Sequence, residues 1–172
     1  MTGSKPIKIY TDGACLGNPG PGGYAAVLLL GRGRKEVSAG RRQTTNNRME
    51  LLAAILGLST LKQPSKVELY SDSKYLVDNI LQGNVRRWWA NGWKLDRKTT
   101  AQNIDLWEII LDLCRIHNVT FIWVEGHSGN PENERCDQLA MQTARRANLP
   151  ADEPYENGKT KLSTHSLFSE EE

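Results

Sequence analysis

The sequence predicts an α/β domain built on a mixed sheet of about five strands, and three observations predict it. First, IKIYTD (Ile7 to Asp12) and VELYSD (Val67 to Asp72) repeat one pattern: alternating aliphatic residues, then Tyr, a hydroxyl residue and Asp. Second, two further extended stretches follow the first of these closely, as an antiparallel meander would. Third, stretches with helical periodicity separate the later strands, as parallel crossovers require.

Taken in order, Ile7, Ile9 and Thr11 alternate with Lys8, Tyr10 and Asp12, so the first strand is expected to end on Asp12. GACLGNPGPGG is too rich in Gly and Pro for a helix and reads as a loop. Tyr24 to Leu30 and Arg34 to Gly40 read as strands joined by Gly31-Arg32-Gly33. Thr44, Thr45, Asn46 and Asn47 are capping residues before a helix over Met49 to Leu61, and Pro64 closes the connection to the Val67 strand. Lys74 to Leu81 reads as a short helix. NVRRWWANGWKLDRK, Asn84 to Lys98, has no apolar period but holds three of the five tryptophans. Ile104 to Ile116 is an amphipathic helix, and VTFIWV (Val119 to Val124) is a strand. After a polar loop from Glu125, Asn130-Pro131 marks a cap and first-turn proline, opening a helix to about Ala147. Leu149-Pro150 is expected to end the fold, leaving a catalytic domain over 1–149 and a polar, disordered tail over 150–172.

Composition narrows the function classes. At 172 residues, 38% hydrophobic and 24% charged, the chain fits a single soluble domain. Its longest apolar run, Tyr24 to Leu30, is too short to span a bilayer, and Met1 to Pro6 does not read as a secretory leader. Cys15, Cys114 and Cys136 are odd in number and widely spaced, which argues against a disulfide framework or zinc site and for a reducing cytoplasm. The net charge of +2 divides into −4 on the residues from Ala151 onward and +6 on the body before it, and a basic body suits an anionic partner.

The repeated strands carry the chemistry. If they are parallel neighbours, Asp12 and Asp72 emerge together at their carboxyl ends, where open α/β sheets place their sites. Glu50 is the one ionisable residue between Met49 and Leu61, on a helix with no freely solvated face, so its carboxylate needs a partner. It reads equally as the far half of a capping box with Asn47. Asp137, in ENERCDQLA on the last helix, reads alone as a surface acid. Carboxylates gathered at one sheet end repel one another unless cations sit between them, and oxygen-only ligands favour Mg²⁺ or Mn²⁺. Spacing leaves open whether the four converge.

YTDGACLGNPGPGG, TTNNRMEL, LYSDSKY, NGW with NIDLW, and VEGHSGNPENERCDQLA resemble, in order and spacing, the successive motifs of type 1 ribonuclease H, over about Ile7 to Asn148. The resemblance implies a five-stranded mixed sheet with helices on both faces. It implies an endonuclease that hydrolyses the RNA strand of RNA–DNA hybrids with one or two Mg²⁺ ions, leaving 5′-phosphate and 3′-hydroxyl ends; nothing in the sequence suggests more than a monomer. It assigns metal binding to Asp12, Glu50, Asp72 and Asp137, and proton transfer or product departure to His127. It assigns hybrid contacts to Gly13, Cys15, Asn18, Asn46 and Asn47, and a DNA phosphate to Thr45. Arg86, Arg87, Trp88, Trp93 and Lys94 fall on the family's basic substrate handle, with at least one of its tryptophans expected in the core. Two positions depart from the best-known bacterial pattern. Trp89-Ala90-Asn91 replaces a basic cluster, and Lys74 replaces a Gln that contacts the minor groove, so Lys74 is read as reaching a phosphate. The rival readings are a resolvase or exonuclease of the same fold, a non-catalytic hybrid-binding module, and a phosphatase acting on small substrates, which would not need the basic aromatic segment.

Overall fold

The structure, a computed structural model, describes residues 4–162. Five strands, β1 (Ile7–Cys15), β2 (Gly20–Leu30), β3 (Gly33–Thr44), β4 (Lys66–Ser71) and β5 (Asn118–Trp123), form one sheet in the order β3-β2-β1-β4-β5. The first three make an antiparallel meander, and β4 and β5 run parallel to β1. The turn between β2 and β3 is made by Gly31 and Arg32, with Gly31 at a φ of 61°, where a side chain is disfavoured. The helices are α1 (Asn46–Ser59), α2 (Lys74–Leu81), α3 (Asn84–Ala90), α4 (Ile104–Ile116), α5 (Pro131–Ala144) and the short α6 (Glu153–Glu156). None of the described helices is long and apolar enough to cross a membrane.

Strand alternation sorts the helices onto two faces. Ile9, Ala26, Leu28, Val67 and Leu69 pack with α1 and with Trp107 of α4 in the main core. Ala14 and Ala25 point the other way, against Ala140 of α5. That second layer is thin because its residues are small. A Cβ built on Gly23 would lie 2.0 Å from the Ala140 carbonyl oxygen, so α5 rests on bare strand backbone.

The structure corrects several expected boundaries. β3 runs on past Gly40 to Thr44, and α1 spans Asn46–Ser59 rather than Met49 to Leu61, so Asn46 and Asn47 form its first turn instead of preceding it. β1 continues through Gly13 to Cys15 and β2 starts at Gly20, so most of the Gly-rich stretch is paired strand with a short loop between. The stretch after Gly83 contains α3, whose seven residues are too few to show an apolar period. The last long helix stops at Ala144 rather than Ala147. The fold does not end at Leu149-Pro150. The Pro150 carbonyl accepts from Arg42 N–H at 2.8 Å, Thr160 O accepts from Ile104 N–H at 2.7 Å, and Glu156 holds the Arg42 guanidinium. Asp152 is buried against Arg48 and Thr44. A polar segment can be ordered by ion pairs and hydrogen bonds that leave no hydrophobic pattern. Residues 163–172, which carry the rest of the expected tail, lie outside the described residues.

Candidate active site

The register of β1 on β4 brings the two repeated aspartates together. Tyr10 pairs with Tyr70 and Thr11 with Ser71, so Asp12 and Asp72 occupy the next matching positions. The two tyrosine rings stack at 4.5 Å between centroids, which supports that register two residues before the carboxylates. Gly13 brings in the third acid. A Cβ there would lie 2.4 Å from the Met49 carbonyl carbon and 2.5 Å from Glu50 N, so the absence of a side chain lets the first turn of α1 rest on β1. Glu50 therefore reaches Asp12 from the α1 side of the sheet. It plays no part in a capping box: the N-cap of α1 is Thr45, whose hydroxyl accepts from Arg48 N–H at 3.3 Å.

Asp12, Glu50 and Asp72 place one carboxylate oxygen each within 4.8 Å of one another. Asp12 and Glu50 are 4% and 5% exposed, and Asp72 is half-buried. Burial first, and then the charge of Asp72, push the Asp12 carboxyl up to about 8, with Asp137 adding to the rise. Gly13 N–H, donating to Asp12 Oδ1 at 2.9 Å, partly opposes this. Burial and the Asp12 charge likewise raise Glu50. Its Oε2 is buried without a hydrogen-bond partner among the described residues. Three crowded oxygen donors, two of them resisting ionisation and one with an orphaned oxygen, fit a hard divalent cation such as Mg²⁺ or Mn²⁺.

Asp137 flanks this set rather than joining it. It sits on α5 one residue after Cys136, whose thiol donates to Tyr10 O at 3.2 Å. One helical turn before Asp137, the buried Asn133 donates through Nδ2 to Asp72 Oδ2 at 3.4 Å. Sequence reasoning passed over Asn133, although its spacing of four from Asp137 puts both on one helix face. It also passed over Gly126, where a Cβ would come within 2.8 Å of Asp72 Oδ2, and over Trp123, whose Nε1–H donates to Asp72 O at 3.1 Å. His127 follows Gly126 on the exposed loop between β5 and α5, with a φ of 55°.

The expected substrate contacts divide into two groups. Asn18 Oδ1 accepts from Asn46 N–H at 3.1 Å, tying the β1–β2 loop to the head of α1. Beside them lies a cleft of about 250 Å³ lined by Asn18, Thr45, Asn47, Asn103, Tyr155 and Thr160. The Cys15 thiol is turned to the carbonyls of Gly20 and Thr44, and burial raises its pKa. On the expected handle, Arg86, Arg87 and Lys94 are exposed. Trp88 is half-buried and meets Trp107 edge-on at 6.4 Å. Trp93, expected at the substrate, is instead a core residue at 5% exposure, and the exposed ring of this segment is Trp89 at 52%. Lys74 is exposed at the start of α2, beside Asp72.

Comparison with known proteins agrees with this geometry. The family model for RNase H matches residues 4–145. A ribonuclease H of Desulforamulus reducens is 60% identical over 151 residues, 88% of this chain and 95% of that protein. A ribonuclease HI of Synechocystis is 57% identical over 136 residues, 78% of this chain and 85% of that one. Among solved structures, LC9-RNase H1 is similar at a TM-score of 0.71 and 29% identity, covering 93% of this chain and 83% of that one. LC11-RNase H1, solved in complex with an RNA/DNA hybrid, is similar at a TM-score of 0.62 and 26% identity, covering 80% of this chain and 96% of that one. Matches of this length and identity, on a sheet that gathers Asp12, Glu50 and Asp72 at one end, establish that the chain belongs to the ribonuclease H family.

Proposed function

We propose that the protein hydrolyses the RNA strand of RNA–DNA hybrids at the carboxylate cluster, leaving 5′-phosphate and 3′-hydroxyl ends. The observation that carries this reading is the convergence of Asp12, Glu50 and Asp72 around an unpartnered buried oxygen of Glu50. These three residues, with Asp137 from the flank, would hold one or two Mg²⁺ ions, with Mn²⁺ as a substitute. Bound ions of this kind supply Lewis-acid activation of water and stabilise charge on the phosphate.

The chain's own groups then have distinct tasks. Gly13 N–H fixes the Asp12 carboxylate, and Asn133 orients that of Asp72. His127 serves proton transfer or product departure from its exposed loop. Gly13, Asn18, Asn46 and Asn47 line the approach to the site and suit 2′-hydroxyls and minor-groove edges, which both donate and accept. Cys15 shapes that approach through its backbone and the packing of its thiol. Thr45 and its cleft take a DNA-strand phosphate, and Arg86, Arg87, Trp88 and Lys94 form the handle. The hybrid bound by LC11-RNase H1 supports this choice of partner. Three free cysteines fit the reducing cytoplasm, where the protein would act as a monomer.

The test is cleavage of a labelled strand in RNA–DNA, all-RNA and all-DNA duplexes, with and without Mg²⁺. Metal-dependent cutting of the RNA in the hybrid alone supports the reading. Cutting of all-DNA moves it to another nuclease of the fold, and binding without cutting moves it to a binding module.

A further inference from the structure

Trp123 is a large aromatic residue left 41% exposed at the end of the edge strand β5, beside the carboxylate cluster. Its indole edge is engaged, since Nε1–H donates to the Asp72 carbonyl at 3.1 Å. Its face is engaged as well, since the Lys74 ammonium lies over the ring, 5.3 Å from the centroid. Lys74 is the first residue of α2, two positions beyond Asp72, and Ser73 caps that helix by accepting from Leu76 N–H. A lysine so close to acids would ordinarily turn its charge onto one of them. Here, among the described residues, Lys74 forms no ion pair with any carboxylate.

The physical consequence is a cation presented outward. An indole face attracts an ammonium through its quadrupole without taking its hydrogen-bond donors, so all three N–H groups stay available. Holding the long side chain on a ring also removes in advance some of the rotamer freedom that a contact would cost. An acidic site that takes a polyanion needs positive charge at its rim, because bare carboxylates repel phosphate. The lysine that departs here from the best-known bacterial pattern therefore has a structural partner in Trp123.

We propose that Lys74 contacts a backbone phosphate of the substrate duplex at the Asp72 edge of the site, and that Trp123 is the positioning residue that aims it. The inference rests on the hybrid-cleavage reading above, which wild-type activity tests separately.

The experiment is steady-state cleavage of the hybrid over a KCl series at saturating Mg²⁺, with wild type, Lys74→Gln, Lys74→Arg, Trp123→Phe and Trp123→Leu. Lys74→Gln is expected to raise KM about 3- to 10-fold, with a smaller change in kcat, and to lower the slope of log KM against log salt by about one. Lys74→Arg keeps the slope. Trp123→Phe keeps it too, because a ring remains under the ammonium, whereas Trp123→Leu lowers it although the lysine is intact. An unchanged KM and slope in Lys74→Gln overturns the proposal. So does a loss confined to kcat, which would make Lys74 a counter-charge to the carboxylates. An unchanged slope in Trp123→Leu overturns the part given to Trp123; should that variant fail to fold, the Lys74 pair still decides the phosphate contact. A wild type that leaves the hybrid uncut refutes the functional reading instead, before any variant is compared.

Discussion

Replacing Asp12 with Asn should abolish cleavage and, in the absence of divalent cations, make the protein more stable. Asn preserves the shape and an oxygen that can accept from Gly13 N–H, but it removes a charge from a crowded, buried site. The Asp12 carboxyl is raised in the folded state from 3.8 to about 8, by burial first and by Asp72 second. A raised folded-state pKa means that the fold holds the proton more tightly than the unfolded chain. Stability from this group is therefore fully present below pH 3.8 and is lost as pH climbs toward about 8. At ~1.4 kcal/mol per pKa unit, a rise of about four units sets a ceiling of roughly 6 kcal/mol. Relaxation and water entry bring such penalties down, so the gain at pH 8 should be about 2–4 kcal/mol. For a chain of this size that is a rise in Tm of roughly 5–15 °C.

The assay is urea or thermal unfolding in EDTA at pH 5 and pH 8, for wild type and Asp12→Asn. Wild type should lose stability between the two pH values, and the variant should lose less. Added Mg²⁺ should stabilise wild type at pH 8 by mass action and the variant much less. The reasoning is refuted if Asp12→Asn is no more stable than wild type at pH 8 in EDTA, or if it still cleaves.

Three further outcomes are expected. Arg48→Met, which strands Asp105 and Asp152 without their shared cation, should cost about 3–5 kcal/mol in urea unfolding, with Asp152→Asn costing less. Gly23→Ala drives a methyl group into the Ala140 carbonyl and should lift α5 from the sheet. That change is expected to destabilise by about 1–3 kcal/mol and to lower kcat through the displaced Asp137, read by unfolding and cleavage on the same preparation. His127→Ala should slow turnover without abolishing it in single-turnover and steady-state assays; complete loss would give the histidine a larger part than proton handling at departure.

What the sequence made legible was local or repeated. The echo of Ile7–Asp12 in Val67–Asp72 announced the parallel pair, and β1 and β4 do lie side by side in that register. Asn130-Pro131 announced the start of α5, where Asn130 Oδ1 accepts from Glu132 and Asn133 N–H, each at 3.1 Å. The limits of α4 followed from its apolar period, and both ends agree. The features that stayed hidden depend on contacts far apart in the chain. Trp93 carries no mark that separates a core indole from a substrate platform, because its burial is decided by the distant residues of the main core that it joins. Asn133 and Trp123 became visible only once β4, β5 and α5 had converged on Asp72. The ordering of residues 150–162 depends on Arg42, Thr44 and Arg48, about a hundred positions away, and no local pattern encodes that.

Those distant contacts also explain how α1 can present a buried carboxylate. Arg48 and Glu50 are both buried and stand two residues apart, about 200° around the helix, so they face nearly opposite ways. Arg48 is gripped by Asp105 through two hydrogen bonds at 2.8 and 2.9 Å, and by Asp152 through two more at 2.7 and 3.0 Å. Burial alone would lower the guanidinium pKa, but these bonds outweigh it and hold the group firmly charged. Glu50 has the opposite character: burial and the neighbouring acids raise its carboxyl, it is only partly bonded, and ionising it without a cation nearby is costly. A helix head loaded with Glu50 alone would relieve itself by swinging away from β1. Arg48, locked to α4 and to the segment after Pro150, opposes that movement, while Gly13 lets the helix lie close enough for Glu50 to reach Asp12. The same head carries Thr45, Asn46 and Asn47. The segment read from sequence as a tail thus braces, through Asp152 and Arg48, the helix head that carries both the carboxylate and the expected substrate contacts. Asp152→Asn is therefore expected to lower Mg²⁺ affinity as well as stability, read by Mg²⁺ titration of the unfolding midpoint.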